Sequence, residues 1–252
     1  MPWLLLDTAM PRAVVAVVDN VAGSVVGPIL AELHLDDTRR HAETLSGAVD
    51  DVCARAHVAL ADLDGVGVGV GPGSFIGVRT GLSFALGLGR ALGCRVVGID
   101  GLLALAGSVD VSGPCLCVID AKRGERYVGR VDVGPGMRLH ALGGPVALAP
   151  QHIDCSGAVA VVGALDGLQP PEGALVVSLA GPTALGLQRA LHAAGGESAA
   201  SPVYVRGADA KVPLLDPAAR RQAILSDLDA RGVFTDDDAY QAASSDDKAN
   251  AR

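Results

Sequence analysis

One glycine-rich stretch, residues 65–93, constrains the fold more than any other part of the chain; it reads GVGVGVGPGSFIGVRTGLSFALGLGRALG. Its first part alternates glycine with valine, and a period of two places the valines on one face of a β-strand and leaves the other face bare. Glycine weakens a strand, so we expect the bare face to let another backbone approach closely. The turn Gly71-Pro72-Gly73 ends the strand, and Ser74 is placed to cap a following helix.

From Phe75 the pattern becomes helical, and small residues recur at every fourth position: Gly77, Gly81, Ala85 and Gly89. We call these four residues the small-residue stripe. Each glycine costs a helix about 1 kcal/mol relative to alanine, so a closely packed second helix is expected to offset that cost. The spacing leaves two alternatives open with nearly equal weight, a helix of the same domain or a helix of another subunit. A membrane span is not expected, because Arg79 and Arg90 interrupt the apolar run.

Composition narrows the class of protein. The chain has 252 residues and a net charge of −8 without any Lys/Arg run, which argues against a protein that holds nucleic acid by its own surface. Only 3% of the residues are aromatic, so the core must be built from Ala, Val and Leu. The five cysteines are scattered and odd in number, which predicts buried free thiols in a reducing, cytoplasmic compartment. The N-terminus has no basic segment and is not expected to be a signal peptide.

A strand, an acidic residue, a tight turn and a second strand occur twice along the chain. The first copy combines 3–6, Asp7 and 13–18, and the second combines 115–119, Asp120 and 127–133. This weak internal repeat predicts two related lobes, and the second, which is richer in Gly and Pro, is expected to be degenerate. The predicted boundaries are an N-terminal lobe at 1–108, a smaller C-terminal lobe at 109–206, and an extension at 207–252 whose acidic tail is expected to be disordered.

No catalytic set can be assembled from the sequence. The Gly-Pro-Gly turn before a helix could attract a phosphate, but no Lys-Ser/Thr follows it as a P-loop requires. Ser74 lies where an esterase nucleophile would lie, yet the G-x-S-x-G pattern is broken, and a helix cap is the favoured interpretation. The six histidines are dispersed without the spacing of a metal site. The sequence therefore predicts no metal, no cofactor and no catalytic residue.

The 65–93 block closely resembles the bacterial TsaB family, formerly called YeaZ. Three further blocks, LLLDTA near the N-terminus, DAKRGERY at 120–127 and PVYVRGADAK at 202–211, resemble that family in the same order, so the resemblance spans about residues 3–211. It implies an α/β fold of the ASKHA (actin/hexokinase-like) type, with two related lobes built on mixed sheets. It also implies a function. TsaB proteins are non-catalytic partners of TsaD, which forms N6-threonylcarbamoyladenosine next to the anticodon of tRNAs reading ANN codons, and TsaE is a third, ATPase component.

The resemblance further implies where partners bind. TsaD would pair with the helix after the glycine-rich loop, through Gly77, Val78, Arg79, Gly81, Leu82, Ala85, Leu86 and Gly89, and the same surface would form a homodimer when TsaD is absent. This favours the intersubunit alternative for the stripe, so a bulky residue at Gly81 is predicted to break association and leave the fold intact. Contact with tRNA is expected only through the complex, and no membrane contact is expected.

Two loops carry the remaining implied sites. The glycine-rich loop comprises Gly71, Pro72, Gly73 and Ser74, and Asp7 and Thr8 form a vestigial nucleotide loop. Ala9 and Ile76 stand where the family usually has hydroxyl residues, which argues against ATP binding by this chain alone. TsaD carries paired histidines where this chain has Ile99-Asp100-Gly101-Leu102-Leu103-Ala104. The alternatives kept open are an ASKHA small-molecule kinase and a metalloprotease-like hydrolase.

Overall fold

The computed structural model describes residues 1–19, 26–36, 41–195 and 198–205. Within them the chain forms eleven strands and four α-helices. The first eight elements are β1 (Pro2–Asp7), β2 (Ala13–Asp19), β3 (Ile29–Leu35), α1 (His41–Ala56), β4 (Gly65–Gly69), α2 (Phe75–Leu92), β5 (Arg95–Ile99) and α3 (Gly101–Gly107). The remaining seven are β6 (Gly113–Asp120), β7 (Arg126–Gly134), β8 (Arg138–Ala141), β9 (Val146–Leu148), β10 (Ala160–Gly163), β11 (Leu175–Ser178) and α4 (Ala184–Ala193). The predicted extension at 207–252 lies outside the described residues.

The two sheets repeat one topology. The first has the order β3-β2-β1-β4-β5, with antiparallel pairs on one side of β1 and parallel pairs on the other. The second has the order β8-β7-β6-β10-β11 with the same directions, and β9 adds a further antiparallel pair to β7. The prediction of an α/β fold with two related lobes and mixed sheets is therefore confirmed.

The repeated acid has the same local role in both copies. At the end of β1, the Asp7 carboxylate accepts a hydrogen bond from the Ala9 N–H at 2.9 Å. At the end of β6, the Asp120 carboxylate accepts one from the Lys122 N–H at 3.0 Å. Both are turns in which an Asp side chain replaces a backbone acceptor, and they start the antiparallel hairpin of each lobe.

The second lobe is the simpler copy. In the first lobe the connections β3–β4 and β4–β5 contain the long helices α1 and α2. In the second lobe, where residues 135–178 are all described, the corresponding connections contain no α-helix. Loop residues Ile153, Cys155 and Leu165 instead pack on Leu116 and Val161 of the outer sheet face. The prediction that the second lobe is degenerate is confirmed.

Small aliphatic side chains fill the core, as the composition requires. Alternate residues of β1 point to opposite faces of the first sheet: Leu4 and Leu6 pack under α1 and α2, whereas Trp3 and Leu5 face α3 and α4. The core around α3 and α4 also contains Cys117 and other residues of the second sheet, so these two helices lie between the lobes. All five cysteines are free thiols, and Cys115 and Cys117 share one strand face with their Sγ atoms 3.8 Å apart.

The bare face of β4 accommodates side chains. A Cβ at Gly65 would lie 2.7 Å from the Trp3 ring, and one at Gly67 would lie 2.7 Å from Leu5 and 2.9 Å from Ile99. The expectation that another backbone fills this space was wrong. Large side chains of the neighbouring strands β1 and β5 lean across the glycines because β4 supplies no side chain there.

Candidate partner-binding face

Helix α2 begins and ends at the residues that the sequence indicates. Ser74 adopts an extended conformation, and its Oγ accepts a hydrogen bond from the Gly77 N–H at 3.3 Å, so the predicted helix cap is confirmed. The helix ends at Leu92, and the C-cap Gly93 has a φ of 69°, in the left-handed region that favours glycine.

The small-residue stripe faces the chain's own sheet. Gly77, Gly81, Ala85 and Gly89 are buried. A Cβ at Gly77 would overlap the carbonyl oxygen of Thr8, and a Cβ at Gly81 would lie 2.5 Å from Thr8 Oγ1 and 3.2 Å from Leu6 Cδ1. At Gly89 a Cβ would overlap the side chain of Val96 in β5.

The stripe therefore brings α2 against the first sheet and the β1–β2 turn. Its assignment as the contact surface for a sister helix was wrong, and so was the alternative of a helix in the same domain. Val78 and Leu82, also named as interface residues, are buried with it. Of the eight residues in that prediction, Arg79 and Leu86 remain exposed.

The opposite side of α2 is open and partly apolar. We call this surface the outer face of α2; it consists of Phe75, Ile76, Arg79, Ser83, Leu86, Gly87 and Arg90, all of which are exposed. Ile76 is 76% exposed, Phe75 47% and Leu86 46%. A Cβ at Gly87 would meet nothing within 4 Å. Positions 76, 79, 83, 87 and 90 have helical spacing, so the same periodicity could have identified this face once the stripe was assigned to the core.

The glycine-rich loop is packed between the start of α3 and the β1–β2 turn. The Gly71 carbonyl accepts from the Gly101 N–H at 2.8 Å, and the Ser74 N–H donates to the Ala9 carbonyl at 2.7 Å. Gly71 has a φ of 98°, and a Cβ at Gly73 would overlap the Ala9 carbonyl. These contacts explain the glycines by close packing of the β1–β2 turn, without a phosphate.

Asp7 and Thr8 are also used within the chain. Thr8 is 2% exposed, and its hydroxyl donates to the Gly77 carbonyl at 2.7 Å, which ties the β1–β2 turn to the start of α2. Asp7 is wholly buried, and its Oδ2 has no hydrogen-bond partner among the described residues. Burial raises the pKa of Asp7 from 3.8 to about 6, against the opposing effect of the Ala9 and Met10 N–H groups.

A C-terminal segment, residues 198–205, returns to the first lobe; we call it the strap. The Gly98 N–H donates to the Ser198 carbonyl at 3.1 Å, and the Val203 N–H donates to the Val70 carbonyl at 2.8 Å. These bonds place Tyr204 beside the outer face of α2, where its ring lies 5.4 Å from that of Phe75. Sequence reasoning missed Tyr204, because 125 residues separate it from Arg79.

Comparison with known proteins identifies the family. The family model described as "TsaD: tRNA N6-adenosine threonylcarbamoyltransferase" matches residues 29–154, half of the chain. The chain is 32% identical over 127 residues to the tRNA threonylcarbamoyladenosine biosynthesis protein TsaB of Escherichia coli, covering 49% of this chain and 52% of that protein. It is 26% identical to the solved structure of YeaZ from Pseudomonas aeruginosa, with a TM-score of 0.66 over 81% of this chain and 99% of that one. The chain belongs to the TsaB (YeaZ) family.

One further relative of this TsaB-family chain matches over a greater length. An uncharacterised protein of Mycobacterium tuberculosis is 36% identical over 213 residues, covering 82% of this chain and 93% of that protein. The alignment with the Pseudomonas structure extends over most of the described residues, so the ASKHA-like fold applies to both lobes.

Position 100 has a structural role in this TsaB-family chain. The Asp100 carboxylate caps α3 by accepting from the Leu102 N–H at 2.8 Å and the Leu103 N–H at 3.1 Å. Burial raises the pKa of Asp100, against the opposing effect of these two bonds. Asp100 belongs to the stretch 99–104, where the sequence resemblance places paired histidines in TsaD. The described residues contain no group of three His, Cys, Asp or Glu side chains arranged to hold a metal ion. In the same part of the chain, no helix is both long and apolar enough to cross a membrane.

Proposed function

We propose that this chain is the non-catalytic scaffold subunit of a complex that forms N6-threonylcarbamoyladenosine in tRNA. It pairs with a TsaD-like catalytic subunit through the outer face of α2, and a TsaE-like ATPase completes the complex. The tRNA is bound by the assembled complex, which agrees with the net charge of −8 on this chain. The expected compartment is the cytoplasm.

The exposed apolar side chains of α2 carry this proposal. Ile76, Phe75 and Leu86 lie on one helix face, and Tyr204 of the strap extends that face. Exposed apolar residues clustered on one surface are typical of protein–protein contacts, and aromatic residues are enriched there. Gly87 has no side chain and lies in the middle of this face, so a partner's side chain could approach the helix backbone there. The same face would serve for self-association when the catalytic subunit is absent.

The local chemistry supports a scaffold more than an enzyme. Asp7 is buried and Thr8 is hydrogen-bonded to α2, so neither is presented to a nucleotide as a small-molecule kinase would require. Asp100 is engaged as a helix cap, and the helix that it starts contains only Gly, Leu and Ala. These observations favour neither the kinase nor the metalloprotease-like alternative.

Replacing Ile76 with glutamate is expected to break the complex and leave the fold intact. Ile76 is 76% exposed, so the charge costs the free chain little, but burying it against a partner would be unfavourable. We expect affinity for the TsaD-like subunit, measured by calorimetry, to fall by about 30-fold or more, with an unchanged melting temperature.

Leu142 provides the matched control. It is 51% exposed on the second lobe, and Leu142→Glu makes the same chemical change away from α2, so it should leave the affinity unaltered. Reconstitution with the TsaD-like and TsaE-like subunits, tRNA and the threonylcarbamoyl donor then tests the function, by mass spectrometry of the digested tRNA. Formation of the modified nucleoside at the same rate without this chain would contradict the proposal.

A further inference from the structure

The guanidinium group of Arg79 is held in a defined orientation on the outer face of α2. Its central carbon lies 3.8 Å from the centroid of the Phe75 ring, one helical turn earlier, and 5.9 Å from that of Tyr204. The Arg79 Nε–H donates a hydrogen bond to the Tyr204 hydroxyl at 3.0 Å. Stacking and this bond fix an exposed arginine that would otherwise sample many rotamers.

The two terminal nitrogens of Arg79 have no hydrogen-bond partner or ion pair among the described residues. Among the residues that the structure describes, no carboxylate forms an ion pair with Arg79. Of the described elements beside it, neither α2 nor the strap contains an Asp or Glu. A guanidinium whose Nε edge is satisfied still presents two N–H groups suited to the two oxygens of a carboxylate.

We propose that Arg79, aligned by Phe75 and Tyr204, is the receptor for a carboxylate on the TsaD-like subunit. This inference rests on the proposed function and adds a description of the partner's surface. That surface would present an acidic side chain to Arg79, surrounded by apolar residues that cover Ile76 and Leu86. Charge complementarity selects this occupant, because the outer face of α2 carries Arg79 and Arg90 and no negative charge. Ordering the arginine before binding lowers the entropy lost on association, so this one pair should contribute strongly to affinity.

The strap makes this receptor depend on two segments that lie 125 residues apart in the sequence. Tyr204 reaches α2 because residues 198–203 hydrogen-bond to β5 and to the residue after β4. Tyr204 is therefore a positioning residue, which orients Arg79 and does not need to contact the partner's carboxylate itself. Tyr204→Phe keeps the ring and removes only the hydroxyl that accepts from Nε, which isolates the orienting effect.

The test measures the affinity of the full chain for the TsaD-like subunit by calorimetry at several salt concentrations. We expect Arg79→Met to weaken binding by about 30-fold, Arg79→Lys by about 10-fold, and Tyr204→Phe by about 5-fold. Arg79→Met should also reduce the loss of affinity with added salt, because one ion pair is gone. Arg90→Met is the matched control on the same face, because no aromatic ring of the described residues lies within stacking distance of Arg90, and it should cost no more than about 3-fold. Circular dichroism and melting temperatures verify that each variant is folded.

The possible outcomes separate this inference from the proposed function. If the wild-type chain does not bind the TsaD-like subunit, the proposed function fails. If the wild type binds and Arg79→Met binds equally well, or if Arg90→Met weakens binding as much, only the carboxylate receptor is overturned. A titration with labelled tRNA completes the test. If Arg79→Met loses affinity for tRNA and keeps its affinity for the TsaD-like subunit, the guanidinium binds a phosphate. That result would also overturn the proposal.

Discussion

Gly77→Ala is expected to lower the free energy of unfolding by about 2–3 kcal/mol, although alanine is the better helix former. The added Cβ would overlap the carbonyl oxygen of Thr8 and lie 3.0 Å from its carbonyl carbon. Those atoms are backbone, so no rotamer change can relieve the overlap, and α2 must move away from the β1–β2 turn. That movement would also stretch the hydrogen bond from the Thr8 hydroxyl to the Gly77 carbonyl. Urea unfolding followed by circular dichroism measures the loss.

Gly87→Ala is the control, because it makes the identical change in the same helix. A Cβ at Gly87 meets nothing within 4 Å, so this variant should be more stable than the wild type by up to about 1 kcal/mol. Opposite signs at positions 77 and 87 would verify that the small-residue stripe packs inside the molecule. Equal stabilisation by both substitutions would instead mean that α2 does not rest on the β1–β2 turn.

The buried carboxyl of Asp7 is expected to make stability depend on pH. Its pKa is raised in the folded chain to about 6 from 3.8, because burial disfavours the charged form. A group whose pKa is higher in the folded than in the unfolded state stabilises the fold when it is protonated. The stabilisation by protonated Asp7 is therefore fully present below about pH 4 and is lost as the pH rises through 6. By pH 7 the charged carboxylate should have cost about 3 kcal/mol of the free energy of unfolding.

Asp7→Asn should remove this dependence. The amide oxygen can still accept from the Ala9 N–H, as the carboxylate does, but the side chain no longer titrates. Free energies of unfolding are measured for both proteins between pH 4 and pH 7, and the quantity of interest is the difference between the two curves. All other groups titrate in both proteins, so the difference should change by about 2–3 kcal/mol between pH 4 and pH 7, in the direction that favours the variant at high pH. Two parallel curves would show that Asp7 is not buried as a charged group at neutral pH.

Local patterns in the sequence were sufficient to predict most of the secondary structure. The alternation of β4, the helix cap at Ser74, and the duplicated hairpin with an acid at its turn depend on neighbouring residues, and all three were confirmed. The missed strands β8 and β9 have four and three residues. Both strands pair with β7, but they are too short for an alternation of apolar and polar residues to identify them.

Helical spacing predicted that four small residues lie on one face of α2. The 65–93 block is long and distinctive enough to indicate the protein family. The partner of that face was decided only by the tertiary structure. Small side chains are needed on a helix wherever another chain segment packs closely against it. A helix of another subunit, a helix of the same domain and a β-turn all require the same pattern, so the sequence does not distinguish them. Only the folded position of Thr8 and Val96 directs the stripe inward and thereby turns Ile76 and Arg79 outward. The contact between Arg79 and Tyr204 joins residues that only the folded chain brings together, because it depends on the return of the strap to the first lobe.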